Sequence, residues 1–478
     1  MLLAFLADLH LPYRTDTVPY DVLRWALAES ASADLLVVAG DFTAAGDREA
    51  IDAFASILAA SPVPTVVLCG NAEYRSTPEN AAAARALESP VLSRVGDWTV
   101  LSLRDGGGTI PDEVFDALTR ADRRTLVVGH HSLRSLPEPH RSRMTAWRQA
   151  HPDTMLFTAH HHRFLRPDPH TVELPAADPD KAIGEEPSIL FYNTDSGEVR
   201  QSLWHSALPA DFADHIGISC RAPAMDIPYA AAHRIRMIEL RPDAVQADRP
   251  ALRSLLARWR ASGGTTLSLH APDVHDDPAK NGAWAAFAAF AAEVGADRIT
   301  LHVPRVSVAQ VRADGALLSR MAGYVGDALS ALPPSLVIGV ENMHMTAKDT
   351  PDDRRRFGYL PDECRAWRDA LAAAAGKVCG LHLDVGHARN NKPYSEKYTL
   401  SAWYADIGRE ITGYHLHQIS RDGGVWENHT PIDSWYGPLI SYVSFFDAWN
   451  RGQLAKAPLI LEIRTPRGYE KTVEMLGL

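Results

Sequence analysis

Short apolar runs alternate with amphipathic stretches along the first 200 residues. Runs at 2–7, 35–39 and 64–69 are continuously apolar, as in strands buried on both faces of a sheet. Stretches at 20–31 and 48–60 repeat apolar positions with helical spacing. Shorter strands are predicted from 91 onwards, at 91–103, 125–129, 155–159, 189–193 and 199–204. The alternation predicts an α/β domain over residues 1–206.

A second pattern of the same kind begins at residue 212. Eight apolar strand candidates alternate with helical stretches, and they lie at 215–219, 236–240, 266–270, 298–302, 336–341, 380–384, 413–417 and 459–462. Eight such units in about 265 residues have the size of a (β/α)₈ TIM barrel. The predicted fold class is therefore α/β with two domains, 1–206 and 212–478. Residues 166–188, rich in Pro, Asp and Ala, are predicted to form a loop of the first domain.

Polar side chains follow the apolar runs of the first domain. They are Asp8, His10, Asp41, Asn71, His130, His160 and His162. Asp8 and His10 are two residues apart, so in extended backbone they face the same side. Mixed nitrogen and oxygen ligands of this kind suit two divalent ions that share a carboxylate, for which Asp41 is the natural bridge. Such a pair of ions clamps a phosphoryl group and activates a water molecule.

These motifs, in this order, resemble the calcineurin-like metallophosphoesterases over about residues 1–204. The runs are Asp-x-His, Gly-Asp, Gly-Asn-x-Glu, His and Ala-His-x-His. The resemblance implies a four-layer αββα sandwich with two ions of Mn²⁺, Fe²⁺ or Zn²⁺, and catalytic roles for Asp41 and Asn71. The implied ligands are Asp8, His10, Asp41 and His162 for one ion, and Asp41, Asn71, His130 and His160 for the other. His131 and His161 are expected to point away from the metals.

One position departs from that family. Its members often carry Gly-Asn-His, whereas this chain has Gly70-Asn71-Ala72. The missing imidazole usually helps to protonate the leaving oxygen. Ala72 therefore favours a phosphodiester, or another substrate with a good leaving group.

The strand candidates of the second domain also end in polar residues, which are His270, His302, Glu341, Asp384, His415 and Glu462. In (β/α)₈ barrels the catalytic groups lie at the carboxyl ends of the strands. Buried charges need partners, so polar groups at nearly every strand end are difficult to explain as packing.

Residues 215–478 resemble the xylose isomerase-like barrels, which include sugar isomerases, epimerases and the endonuclease IV-like enzymes. The resembling runs end in Leu-His270-Ala-Pro, Val-Glu341-Asn, Leu-Asp384-Val-Gly-His387, His415-Leu-His and Leu-Glu462-Ile-Arg. In epimerase-type members the resemblance implies one ion, held by Glu341, Asp384, His415 and Glu462. Glu341 and Glu462 then also move a substrate proton, and His387 and Arg421 lie at substrate-binding positions, His387 within the catalytic machinery.

The endonuclease IV-like branch implies more ions. His270, His302 and His429 match its extra metal positions, although Glu427 stands where that branch has Asp. One to three ions of Mn²⁺, Zn²⁺, Co²⁺ or Mg²⁺ are therefore expected in the barrel.

Bulk composition is that of a soluble globular enzyme, with 46% hydrophobic and 22% charged residues in 478. The formal net charge of -11 argues against a general nucleic-acid or membrane-surface binder. No apolar run approaches the roughly 18 residues of a membrane span, and residues 1–6 lack the basic start of a signal peptide. The expected location is cytoplasmic, without a membrane partner.

Three functional hypotheses follow. The first is a bifunctional enzyme that hydrolyses a phosphoester, a phosphodiester by preference, and isomerises or epimerises a small sugar or polyol substrate. The second is a nucleic-acid processing enzyme that joins a nuclease to an endonuclease IV-like barrel. The third is a metal-binding scaffold or sensor without turnover.

Overall fold

The computed structural model of the protein describes residues 1–346, 348–422 and 425–478. Two compact units divide the chain. Unit 1 comprises Met1–Ala207 and Trp435–Asp447, and unit 2 comprises Leu208–Ser434 and Ala448–Leu478. The sequence-based limits, 1–206 and 212–478, differ from these units chiefly in the segment Trp435–Asp447.

Unit 1 is built on two β-sheets. Its strands are β1 (Leu2–Leu6), β2 (Leu35–Ala39), β3 (Thr65–Leu68), β4 (Leu92–Val95), β5 (Trp98–Ser102), β6 (Thr125–Val128), β7 (Met155–Thr158), β8 (Leu165–Asp168), β9 (Thr171–Glu173), β10 (Ser188–Asn193) and β11 (Val199–Leu203). One sheet has the order β11-β10-β1-β2-β3, and the other has the order β4-β5-β6-β7-β9-β8. The loop expected over 166–188 thus contains most of the β8–β9 pair, and residues 174–182 after it are buried.

Helices cover the outer faces of both sheets. They are α1 (Val18–Glu29), α2 (Arg48–Leu58), α3 (Pro78–Arg85), α4 (Asp112–Leu118) and α5 (His140–Ala150). A core between the sheets joins Phe5 and Val37 of one to Phe157 of the other. Two further cores lie between each sheet and its helices, for example around Phe54 and around Val114. The four-layer αββα sandwich is confirmed.

The segment Trp435–Asp447 completes unit 1 although it comes from the second half of the chain. The amide of Ser441 donates to the carbonyl of Asp180 at 3.0 Å, and Ser444 Oγ donates to the Asp180 carboxylate. The indole of Trp204 donates to Asp447 at 2.9 Å. This segment therefore fixes the buried residues that follow β9.

Unit 2 contains a closed barrel of eight parallel strands. They are β12 (Ile216–Cys220), β13 (Met237–Leu240), β14 (Thr266–His270), β15 (Arg298–His302), β16 (Val337–Glu341), β17 (Cys379–Asp384), β18 (Ile411–Leu416) and, after the hairpin of β19 (Gln418–Asp422) and β20 (Val425–Thr430), β21 (Leu459–Leu461). Each neighbouring pair is parallel, and β21 closes the barrel onto β12. The predicted barrel is confirmed strand by strand.

The remaining helices are α6 (Pro223–Ala232), α7 (Arg249–Ala261), α8 (Ala283–Val294), α9 (Val308–Ala313), α10 (Leu317–Ser330), α11 (Pro361–Ala375), α12 (Val385–Arg389), α13 (Tyr394–Lys397), α14 (Leu400–Ile407), α15 (Val443–Asn450) and α16 (Glu470–Met475). None of the helices in the described residues is both long and apolar enough to cross a membrane.

Candidate metal centres

The strand-end ligands of unit 1 adopt an unusual backbone. Five of them have positive φ, between 47° and 75°, and they are Asp8, His10, Asp41, His160 and His162. Residues other than glycine seldom adopt this region, although Asp and His do so more readily than most. Such conformations cost energy and cluster at functional sites. The loops after β1 and β2 run side by side, with the His10 amide donating to the Asp41 carbonyl at 2.9 Å.

Asp41 lies between two groups of ligand atoms. Its Oδ2 is 3.3 Å from Nε2 of His10, and its Oδ1 is 3.4 Å from Nε2 of His130. On the first side, Asp8 Oδ1 lies 3.8 Å from His162 Nε2, and Asp8, His10 and His162 offer atoms close enough to share an ion. The two carboxylate oxygens of Asp41 thus face opposite groups, as a bridging ligand requires.

The second group surrounds His130. Nδ1 of His160 lies 3.3 Å from Nε2 of His130, and Oδ1 of Asn71 lies 3.1 Å from the same atom. His131 was expected to point away from the metals, but this is wrong, because it offers a nitrogen to this group while its Nδ1 lies 3.5 Å from Asp105. His161 turns away, with its Nε2 2.8 Å from Ser132 Oγ. All seven ligands expected from the sequence therefore lie in one cluster.

Two buried carboxylates support this cluster from behind. Glu73 accepts hydrogen bonds from the amides of Gly70 and Thr43, both at 2.8 Å, and of Asp41 at 3.1 Å. Asp178 Oδ2 lies 3.2 Å from Nδ1 of His10, which turns the other ring nitrogen towards Asp41. Burial opposes protonation of His10, but hydrogen bonds to Asp178 and Asp41 raise its pKa to about 9. Asp178 was not predicted from the sequence, because it lies in the stretch predicted as a loop.

The donor set fits divalent ions. Asp8 Oδ1 is buried and has no hydrogen-bond partner within the residues described. A buried carboxylate oxygen without a partner is costly unless a cation takes that place. Imidazole and carboxylate ligands together suit Mn²⁺, Fe²⁺ or Zn²⁺. Asp8, His10, Asp41 and His162 would hold one ion, and Asp41, Asn71, His130 and His160 the other.

In the barrel, His415 is the centre of a first ligand group. Its Nδ1 lies 3.0 Å from Glu462 Oε2, 3.2 Å from Glu341 Oε1 and 3.8 Å from Asp384 Oδ2. The residues come from β16, β17 and β18 and from the position just after β21, and all are buried. Although burial opposes ionisation, His415 helps to hold the pKa of Glu341 and of Glu462 well below the usual range.

A second group shares Glu341. Its Oε2 lies 3.2 Å from Nε2 of His270 and 3.5 Å from Nε2 of His302. His302 is held by its other ring nitrogen, 3.0 Å from Asp273 Oδ1. Asp273, which was not predicted from the sequence, thus orients a candidate ligand from outside the group.

A third group shares Asp384 and contains three histidines, His387, His417 and His429. Nε2 of His417 lies 2.9 Å from Asp384 Oδ1, and Nδ1 of His387 lies 3.6 Å from Asp384 Oδ2. His429 has a φ of 61° and places its Nδ1 3.5 Å from Glu462. Glu427 is exposed and takes no part in the group, whereas His417 does.

His387 and Arg421 are the two residues that were expected to bind substrate. His387 lies in the third ligand group and also places its Nδ1 3.0 Å from the carbonyl of Asn342. The side chain of Arg421 lies outside the described residues.

Glu239 and Arg241 complete the barrel centre, and neither was predicted from the sequence. Glu239 is fully buried on β13, with Oε1 2.9 Å from Nε2 of His415, and its other oxygen accepts from Ser268 and Thr300. Arg241 forms an ion pair with Glu462. The signal in the sequence is a lone acidic residue inside an apolar strand, which needs a buried partner.

The structure thus combines an αββα unit that carries two ligand groups with a closed eight-stranded parallel barrel that carries three. Residues 1–205 match the family model of the calcineurin-like phosphoesterases. No curated protein matches the chain.

Solved barrel structures resemble the rest of the chain. Endonuclease IV from Thermus thermophilus has 17% identity over 55% of this chain and 96% of its own, with a TM-score of 0.37. D-allulose 3-epimerase from a Methylomonas species has 17% identity over 56% and 91%, with a TM-score of 0.36. A xylose isomerase domain protein from Alicyclobacillus acidocaldarius has 17% identity over 55% and 97%, with a TM-score of 0.39.

Proposed function

We propose that this protein is a bifunctional metal-dependent enzyme that hydrolyses phosphoesters at both of its sites, with a phosphodiester preference in unit 1. The observation that carries the proposal for the barrel is the sharing of ligands. Glu341 belongs to two adjacent ligand groups, and Asp384 also belongs to two. A chain of three groups supports a site for three ions, and multinuclear sites of this kind serve phosphoryl transfer.

Divalent ions bound in these groups supply a hydroxide at neutral pH and neutralise the phosphoryl oxygens. The chain itself fixes the positions. In unit 1, Asp41 holds both ligand groups in register, Asp178 orients His10, and Glu73 fixes the loops by accepting their amides. Ala72 is fully buried and offers no proton to a leaving oxygen. A diester with a good leaving group therefore fits this site better than a monoester.

In the barrel, the reacting phosphate would lie between carboxylates and imidazoles on six strand ends. Glu341 and Asp384 join the three groups, while Glu239 and Asp273 each fix the far nitrogen of a histidine. Under the nucleic-acid hypothesis, all histidines of the three ligand groups have a role as metal ligands. Abasic-site DNA is the substrate to test first.

An isomerase or epimerase on a sugar or polyol is the second candidate for the barrel. One observation favours it. Glu341 and Glu462 both approach Nδ1 of His415, and the pKa of each carboxylate is held low. An ionised carboxylate on each side of a substrate carbon can remove and return a proton. This reading gives no role as a ligand to His270, His302 and His429.

Elemental analysis of the Mn²⁺- or Zn²⁺-loaded full chain separates the candidates. Three ions in the barrel and two in unit 1 give about five per chain, whereas an isomerase-type barrel with one ion gives a total of about three.

Asp41→Asn should stop hydrolysis of bis(p-nitrophenyl) phosphate and leave cleavage of abasic-site DNA intact. Glu341→Gln should have the opposite effect, and Glu427→Gln, an exposed control, should affect neither. Exchange of a sugar C–H with solvent deuterium that Glu462→Gln stops, without DNA cleavage, establishes the second candidate instead. Metal binding without either activity leaves the scaffold hypothesis.

A further inference from the structure

A small cavity opens beside the barrel's first ligand group, next to the ends of β12 and β21. Its volume is about 150 Å³, and its polar lining includes Ser219, Arg221, Asp226, Arg464, Arg467 and Tyr469. None of these residues belongs to the metal groups described above. A cavity of roughly this volume holds a molecule of about the size of benzene, so one phosphate group fits and a nucleoside does not.

The hydroxyl of Ser219 is available to bind a ligand in the cavity. The residue is 3% exposed, and its Oγ has no hydrogen-bond partner among the described residues. A buried hydroxyl left without a partner is destabilising. Ser219 pairs in register with Glu239 on β13, so its side chain shares the inner face of the barrel with that carboxylate. A ligand with acceptor oxygens satisfies this hydroxyl.

The charges of the cavity favour an anion. Arg467 is paired with Glu470. The carboxylate of Asp226 already accepts from the Ala222 amide and from the Tyr469 hydroxyl, both at 2.7 Å. Arg221 and Arg464 are exposed and form no ion pair with a carboxylate in the part of the chain that is described. Two arginines without such a partner therefore outweigh the single engaged carboxylate.

The cavity adjoins the metal groups through Arg464. This residue comes two positions after Glu462, whose Oε2 lies 3.0 Å from His415. The amide of Arg464 donates to the carbonyl of His429, a residue of the third ligand group, at 2.9 Å. A ligand in the cavity thus lies within reach of a substrate held at the third ligand group.

We propose that Arg221, Arg464 and Ser219 bind a phosphate group of the barrel substrate that is not itself cleaved. This subsite rests on the proposed phosphoester function and specifies its substrate as one with a second phosphate. The guanidinium groups offer paired donors that match phosphate oxygens, and the Ser219 hydroxyl offers one more. That phosphate belongs either to the backbone of a nucleic acid or to a phosphorylated sugar.

The test is calorimetric titration of the Zn²⁺-loaded full chain with inorganic phosphate. Arg221→Gln/Arg464→Gln should remove one phosphate site or raise its Kd about tenfold or more, with unchanged zinc content. Ser219→Ala should weaken the same site, and Arg464→Lys should retain part of the affinity because it keeps the charge. The control Arg253→Gln/Arg258→Gln removes two arginines from α7 and should leave the isotherm unchanged. Identical isotherms for the wild type and the Arg221/Arg464 variant overturn the proposal.

Two substrates then identify the source of the phosphate. The Kd of a noncleavable abasic-site duplex and that of D-fructose 6-phosphate are compared between the wild type and the Arg221→Gln/Arg464→Gln variant. The ligand whose Kd rises in the variant occupies the subsite. If the variant has wild-type Kd values for both ligands, the subsite does not bind the substrate. If the proposed function is wrong, the barrel should hold one ion and should not cleave DNA. The phosphate isotherms test the subsite independently of that result.

Discussion

Nε2 of His415 lies 2.9 Å from Oε1 of Glu239, while Nδ1 of the same ring faces Glu341 and Glu462. One imidazole thus joins a buried carboxylate on β13 to the ligand group at the barrel mouth. Burial alone would raise the pKa of Glu239, but the adjacent His415 holds that pKa well below its usual range. The carboxylate therefore fixes which nitrogen of His415 faces a metal ion.

Glu239→Gln should weaken metal binding in the barrel by about 10–100-fold, the usual effect of losing the outer partner of a histidine ligand. The metal dissociation constant is measured by competition with a chelator on the full chain. Hydrolysis of bis(p-nitrophenyl) phosphate in unit 1 should not change. Glu427→Gln is the matched control, because Glu427 is exposed. An unchanged dissociation constant in Glu239→Gln would contradict the assigned role.

Gly386→Ala should disrupt the third ligand group alone. A Cβ at Gly386 would lie 1.9 Å from Cε1 of His417, which is closer than any real contact. The added methyl must displace the imidazole, although Ala is otherwise favourable within α12. Elemental analysis should show one ion fewer per chain.

The control for this variant is Gly323→Ala in α10, where a Cβ meets no atom within 4 Å. It should keep the full metal content and stabilise the protein by up to about 1 kcal/mol. Full metal content in Gly386→Ala would show that His417 is not a ligand.

Ala72 should make hydrolysis in unit 1 strongly dependent on the leaving group. With no imidazole at this position, the departing oxygen leaves without a proton from residue 72, so kcat/KM should fall steeply as the leaving-group pKa rises. A series of aryl phosphodiesters measures the slope. Ala72→His should flatten it and raise monoesterase activity by about 10²-fold.

Because Ala72 is fully buried, a larger side chain must displace its neighbours. Ala72→Val serves as the steric control, since it fills space without offering a proton. A shallow slope in the wild type, or equal slopes in the His and Val variants, would count against Ala72 as the determinant.

Ser444→Ala should destabilise unit 1 although residue 444 lies in the second half of the sequence. Ser444 is fully buried and donates to the Asp180 carboxylate, and the amide of Asp180 donates to Asp178 at 2.7 Å. Losing a hydrogen bond to a buried charged group costs about 1.5–3 kcal/mol of unfolding free energy. Denaturant unfolding measures the loss, and metal affinity in unit 1 should fall because Asp178 orients His10. Ser142→Ala, on the exposed side of α5, is the control and should change neither quantity. Wild-type values of both quantities in Ser444→Ala would refute the coupling of Ser444 to the metal site through Asp180 and Asp178.

The strand-end ligands were accessible from the sequence for a physical reason. Apolar runs fix where strands end, and parallel strands bring those ends to one edge, so Asp8, Asp41, Glu341 and Asp384 are placed by local pattern alone. Their outer partners were not accessible in this way. Asp178 reaches His10 from a stretch with no regular pattern, and Glu239 is a single polar residue within an apolar strand.

The third ligand group shows a different limit. The sequence pattern pointed to His429 beside Glu427, but the side chain that joins His429 is His417. Which of these residues faces inwards depends on the hairpin of β19 and β20, whose register shifts between Gln418 and Ser420. A one-residue shift in register exchanges the two faces of a strand. Alternation along the sequence cannot reveal such a shift.

The segment Trp435–Asp447 constrains how this chain can change over generations. Recombination usually exchanges domains as contiguous stretches of a gene, yet unit 1 needs thirteen codons that lie beyond most of unit 2. Replacing everything after residue 207 would remove the serine that anchors Asp180. The two units are therefore expected to be inherited together, and substitutions near residue 440 are expected to be selected for their effect on unit 1 rather than on the barrel.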